Sequence, residues 1–181
     1  GAWVARHLAP ADFGTLSYLI ALVALPAALA AMGLDGLIVR DLVSRRHEAG
    51  EILGTALGLR VGAGVVLYLG LLAFGWGELG PGPVFLMLAM LGLEIVLQGA
   101  NVFDLYFQAR VANKWTVAAG TLATILASAV RVALILGGAS VVAFAGAVML
   151  EAILIAAGLA WFYRRMDQGR ERWRFSQARA R

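Results

Sequence analysis

Three ionisable residues stand inside runs that are otherwise almost wholly apolar. They are Glu94 in "FLMLAMLGLEIVLQGA", Arg131 in "TILASAVRVALILGG" and Glu151 in "AFAGAVMLEAILIAAG". A fourth, Arg60, follows "ILGTALGL". A charge in hydrocarbon is costly, so such residues face a bundle interior, a wet cavity or one another. The carboxylates are of the kind that serve ion pathways. The arginines can hold an anion through charge-assisted hydrogen bonds. Glu94 and Glu151 are therefore candidate ion-coupling residues, and Arg131 and Arg60 candidate substrate-binding residues.

The elements that must position them follow from composition. The chain has 181 residues, of which 61% are hydrophobic and 14% charged. Soluble domains are nearer half apolar and a quarter charged. The apolar residues fall in five blocks, at about residues 15–33, 52–75, 83–103, 115–136 and 141–163. A helix needs roughly 20 apolar residues to cross a bilayer, and each block meets that length. The fold class is all-α, a polytopic transmembrane helical bundle over residues 1–163. A basic segment, 164–181, follows it as a linker. The opening "GAWVARHL" reads as the end of another helix, and we expect the chain to be a piece of a larger protein.

Helical periodicity then sorts the polar residues. Glu94, Gln98, Asn101 and Gln108 share one side of their span at about 100° per residue. Gly120, Thr124, Ser128 and Arg131 form a stripe on the next. Leu122, Leu126, Ala129, Ala133 and Leu136 occupy the opposite, lipid-suited face. Gln98, Asn101 and Ser128 join the substrate-binding candidates. Glu94 and Glu151 lie about 15 Å from their helix ends, near the midplane. Arg131 lies about 9 Å from its own end. Three readings stay open for it: lining a hydrated cavity, pairing with Glu94 or Glu151, or snorkelling to the rim. For Arg60, snorkelling is the favoured reading. Gly54, Gly58 and Gly62 repeat every four residues, a spacing that lets helices approach closely in lipid. Pro26 can kink the first span.

Basic residues set the orientation. Arg40, Arg45, Arg46, Arg110, Lys114 and the seven arginines from Arg164 to Arg181 fall on one side of the membrane. The loops "GWGELGPGP" and "GGAS" on the other side carry none, and Arg6 alone runs against the pattern. The positive-inside rule makes the arginine-rich side cytoplasmic. The segment "GLDGLIVRDLVSRRHEAGE" reads as a short helix in the inner interface. The tail "RRMDQGRERWRFSQARAR", with Trp173 and Phe175 among its arginines, reads as an interfacial anchor.

Several chemistries find no support. "GWGELG" matches G-x-G-x-x-G by letter, but it lacks the preceding strand and following helix of a dinucleotide site. His7 and His47 lie on opposite sides of the membrane, and there is no cysteine. No metal site, cofactor or nucleophile constellation is implied. The net charge of +4 sits in loops that face lipid headgroups, so nucleic acid is not an expected partner.

The stretch "VARHLAPADFGTLSYLIALVALPAALAAMGLDGLIVRDLV", continuing through "EILGTALGLR", resembles the amino-terminal half of the Wzx-type polysaccharide flippases. "LYFQARVANKWTVAAG" is similar to their next cytoplasmic turn. These belong to the multidrug/oligosaccharidyl-lipid/polysaccharide exporter superfamily. The Ala-Pro-Ala-Asp-Phe-Gly turn departs from their more usual Gly-Pro-Glu-Asp-Phe-Gly, which leaves the subfamily open. The resemblance implies the first lobe of a two-lobe, MATE-like transporter in the bacterial cytoplasmic membrane. It implies flipping of an anionic, undecaprenyl-pyrophosphate-linked oligosaccharide for polysaccharide biosynthesis. Expected partners are that substrate, the bilayer, a missing carboxy-terminal lobe and polysaccharide polymerase machinery. The alternatives are a cation-coupled exporter of drugs or small amphiphiles, a membrane glycan polymerase or ligase, and a non-transporting lipid-binding scaffold.

Overall fold

A computed structural model describes residues 10–30, 33, 35–45 and 48–167. The described residues form helices and no strand. Seven α-helices follow in order: α1 (Pro10–Ala30), α2 (Asp35–Ser44), α3 (Ala49–Leu79), α4 (Pro83–Leu97), α5 (Asn101–Ala109), α6 (Lys114–Leu136) and α7 (Val141–Asp167). A 3-10 turn, Gln98–Ala100, joins α4 to α5. Five helical stretches are long and apolar enough to cross a membrane: Pro10–Ser44, Ala49–Leu79, Pro83–Ala109, Lys114–Leu136 and Val141–Met166. The chain is a multi-pass membrane protein. His7, Arg6, Arg46, His47, Trp173 and Phe175 lie outside the described residues, as do the last five arginines of the tail.

Several helices run past their apolar blocks. The helix in lipid satisfies its own backbone, so a polar residue near the interface does not end it if its side chain finds a partner. The third span illustrates this: it continues through Asp104 and Gln108 to Ala109. Asp104 accepts hydrogen bonds from Thr116 Oγ1 at 2.6 Å and Gln108 Nε2 at 2.8 Å. α3 starts at Ala49, three residues before the apolar block. Arg60 is consequently about 16 Å into its helix, deeper than the block alone suggests. Pro26 sits within a continuous α1.

α4 is the central helix, packed against α1, α3 and α7, while α6 packs on α7 and α2 packs on α5. Two apolar layers result. One, near the α3–α4 and α6–α7 turns, contains Leu19, Val23, Met87, Leu88, Leu91, Ile95 and Phe144. The other, near the α5–α6 turn, contains Ile38, Leu53, Val102, Tyr106, Phe107, Leu159 and Tyr163. Lipid tails are as apolar as these side chains, so close packing rather than water exclusion holds the layers together.

Small residues make that packing possible. A Cβ on Gly64 of α3 would lie 2.8 Å from the Ile95 carbonyl oxygen, so only glycine lets α3 reach the α4 backbone there. A Cβ on Gly99 would meet Val61 at 2.6 Å. Gly62, the last member of the four-residue glycine repeat, faces open space. On α6 the buried residues are Ala119, Ala123 and Ala127, one every four. Leu122, Leu126, Ala129, Ala133 and Leu136 are exposed, as a lipid-facing side requires.

The second layer ends in an aromatic and cationic rim. Tyr163 packs against Phe103 and Tyr106, and Trp115 against Phe162. Arg110, Lys114 and Arg165 lie over the rings of Tyr106, Trp115 and Trp161. Amphipathic rings and long cationic side chains gather where a membrane meets water.

Candidate functional site

Gln98 and Asn101 owe their placement to the 3-10 turn. In 3-10 geometry residues three apart eclipse, so the two carboxamides point the same way. Val61 of α3 closes on the turn from behind at Gly99, which is buried. Glu94 lies one α-helical turn before Gln98 and shares that side. All three line a cleft of about 130 Å³ between α4–α5 and α7, with Leu97, Ala152, Ile155 and Ala156 as its other walls. One wall is polar and the facing wall, from α7, is carbon.

Beside the cleft a second polar group joins α6 to α7. Arg131 donates from Nη2 to Glu151 Oε2 at 2.6 Å. Thr124 Oγ1 donates to Glu151 Oε1 at 2.9 Å. Both carboxylate oxygens of Glu151 are thus engaged from two turns of α6. The Arg131 and Glu151 side chains are 26% and 21% exposed, so the pair is largely withdrawn from the surface. Glu151 immediately precedes Ala152 of the cleft wall.

Arg60 belongs elsewhere. It is 4% exposed and pairs with Asp35, the first residue of α2. The interaction ties the short α2 to the middle of α3. Ser128 is exposed on α6 between Thr124 and Arg131 and does not line the cleft. Gln108 is held by Asp104, one α-helical turn away.

The structure therefore brings Glu94, Gln98 and Asn101 into one cleft, places Arg131 and Glu151 in an adjoining pair, and separates Arg60 from both. Two acidic residues that sequence reasoning missed hold other polar side chains, Asp35 that of Arg60 and Asp104 those of Gln108 and Thr116. Asp35 stands in a connector, where an acid looks ordinary, and only folding brings α2 against α3. Asp104 carried a readable signal, since Gln108 is four residues on and on the same helix face. Among the described residues no cluster of His, Cys, Asp and Glu could hold a metal ion.

A cleft of one carboxyl and two carboxamides, midway along apolar helices, can hydrogen-bond a polar solute inside the membrane. It offers acceptors from all three groups and donors from the amides. No curated protein and no solved structure matches the chain significantly. A family model described as "Polysaccharide biosynthesis protein" matches residues 3–181.

Proposed function

The chain belongs to the polysaccharide biosynthesis protein family, and on that footing we propose that it is a transporter, not an enzyme, for a lipid-linked oligosaccharide. Its cargo is an undecaprenyl-pyrophosphate-linked glycan, and its site of action the bacterial cytoplasmic membrane. The observation that carries this reading is the open hydrogen-bonding cleft at Glu94, Gln98 and Asn101, at mid-depth along otherwise apolar helices. A glycan cannot cross about 30 Å of hydrocarbon without groups that replace its water. A face of this kind supplies them.

The chain forms one lobe, with its α5–α6 turn in the cytoplasm. The polar faces of α4–α5 and α6 make one wall of a central cavity, and a second lobe of the same protein makes the other. The lipid tail stays in the bilayer while the head passes along the wall. Rocking of the two lobes exposes the cavity to each leaflet in turn, as in other two-part transporters. Glu94 is the carboxyl set to couple a proton or sodium ion to that motion, with Glu151, beside the cleft, as the second carboxyl.

Complementation tests this. The full reading frame is expressed in a strain lacking its own flippase, and surface glycan is measured. Export should be restored by the wild type and lost in the Glu94→Gln, Glu151→Gln double variant across imposed ion gradients. Export of dyes in place of lipid-linked glycan would assign the protein to the small-amphiphile exporters of the superfamily. Wild-type export by the double variant would remove the coupling role.

A further inference from the structure

We infer that the Glu94–Gln98–Asn101 cleft reads the uncharged, hydroxyl-rich sugar of the cargo and not its pyrophosphate. This rests on the transport reading above and divides the cargo between parts of the protein.

The charge distribution gives the first reason. Among the described residues, Arg60 and Arg131 are the basic side chains that lie more than one helical turn inside the apolar blocks of the spans, and each is paired with a carboxylate of this chain. Neither lines the cleft, whose only ionisable lining residue is Glu94. A pyrophosphate there would face a carboxyl and no cation. Binding a diphosphate calls for charge-assisted donors, and the cleft has none from lysine or arginine.

The shape of the polarity gives the second. A sugar ring has an edge of hydroxyls and a face of C–H groups. The cleft matches that division, with Glu94, Gln98 and Asn101 on one wall and Ala152, Ile155 and Ala156 on the other. The carboxamides donate and accept, and the carboxylate accepts, which suits hydroxyls that do both. A metal cation is a poor match, because hard cations collect oxygens from several directions, so of the two coupling ions a proton suits Glu94 better than sodium. Here the α7 wall offers only carbon. The 3-10 turn sets the spacing, since it eclipses Gln98 and Asn101 so that they can meet neighbouring hydroxyls of one ring.

The test uses the full-length protein in lipid nanodiscs and calorimetric titration. The probes are farnesyl pyrophosphate and the same lipid carrying glucose, galactose or N-acetylglucosamine. Wild type should bind at least one sugar-bearing probe about tenfold more tightly than farnesyl pyrophosphate, the scale of one or two net hydrogen bonds. The Gln98→Leu, Asn101→Leu double variant should erase that advantage and leave farnesyl pyrophosphate binding within about twofold. Asn101→Asp keeps the volume and adds negative charge. It also removes the amide donor, so it should reduce the sugar advantage while leaving farnesyl pyrophosphate binding within about twofold, and it serves if the double variant fails to fold. A tenfold loss of farnesyl pyrophosphate binding in either variant would place the anion in the cleft and overturn the inference. So would an undiminished sugar advantage in the double variant, or a wild-type advantage that appears with none of the three sugars. A wild type that binds none of the probes, sugar-free lipid included, would instead sink the lipid-linked transport reading itself.

Discussion

Arg131 and Glu151 meet at 2.6 Å across the α6–α7 interface, and Thr124 holds the second oxygen of the same carboxylate. The pair joins two helices that are neighbours in sequence, so a short loop brings it together at little entropic cost. Separating such a pair by removing one partner leaves a charge in a poor solvent, whereas removing both does not.

Arg131→Met and Glu151→Gln should therefore each destabilise the protein by about 2 kcal/mol, somewhat below the range for fully buried pairs. The double variant should be less impaired than their sum. Thermal unfolding in detergent, analysed as a double-mutant cycle, measures the coupling. Strict additivity would mean that the contact contributes nothing to stability.

The glycines make a contrasting pair of predictions. Gly64→Ala puts a methyl group 2.8 Å from the Ile95 carbonyl oxygen, which backbone cannot easily yield. It should cost roughly 1–3 kcal/mol, as overpacking does. Gly62→Ala meets nothing within 4 Å and should be neutral or slightly stabilising. Equal effects at the two positions would contradict the packing of α3 on α4.

Asp35→Asn should lower the yield of folded protein more than Arg60→Met does. The first exchange leaves the buried Arg60 guanidinium short of its α2 carboxylate, while the second removes the charge that needed it. Fluorescence-detected gel filtration of solubilised membranes would measure both. Equal recovery of the two variants would argue that the ion pair does not dock α2.

The absence of cysteine makes the orientation simple to test. Gly77 and Asn113 are exposed, near opposite ends of the bundle. In intact cells a membrane-impermeant maleimide should label Gly77→Cys and spare Asn113→Cys until the membrane is opened. The reverse pattern would invert the assignment made from the arginines.

Much of this architecture is legible in the sequence because lipid imposes strong rules. A block of about 20 apolar residues has few alternatives to a spanning helix. The side shared by Glu94, Gln98 and Asn101 follows from helical periodicity, and the 3-10 turn tightens it without moving it to another face. What periodicity cannot give is the neighbour. It left Arg131 to choose between Glu94 and Glu151, and only the α6–α7 hairpin selects Glu151. It favoured snorkelling for Arg60 because the partner, Asp35, is 25 residues away on a helix that looked like a connector. It ranked Gly54, Gly58 and Gly62 as the close-packing face from their spacing. At Gly62 that face is open, and the tight approach comes at Gly64 and Gly99, which show no such repeat. Which surfaces meet is a property of the bundle, not of any single helix.

The alanines of α6 carry one last consequence. Ala119, Ala123 and Ala127 give α6 a smooth buried ridge, with an identical methyl group at each turn. A seam of identical methyls resists sliding weakly, since a slip of four residues lays alanine where alanine was. The polar atoms of Thr124 and Arg131 break that degeneracy, because only one axial position of α6 sets both against Glu151. Steric fit makes the contact between α6 and α7 close, and hydrogen bonding gives it a single register.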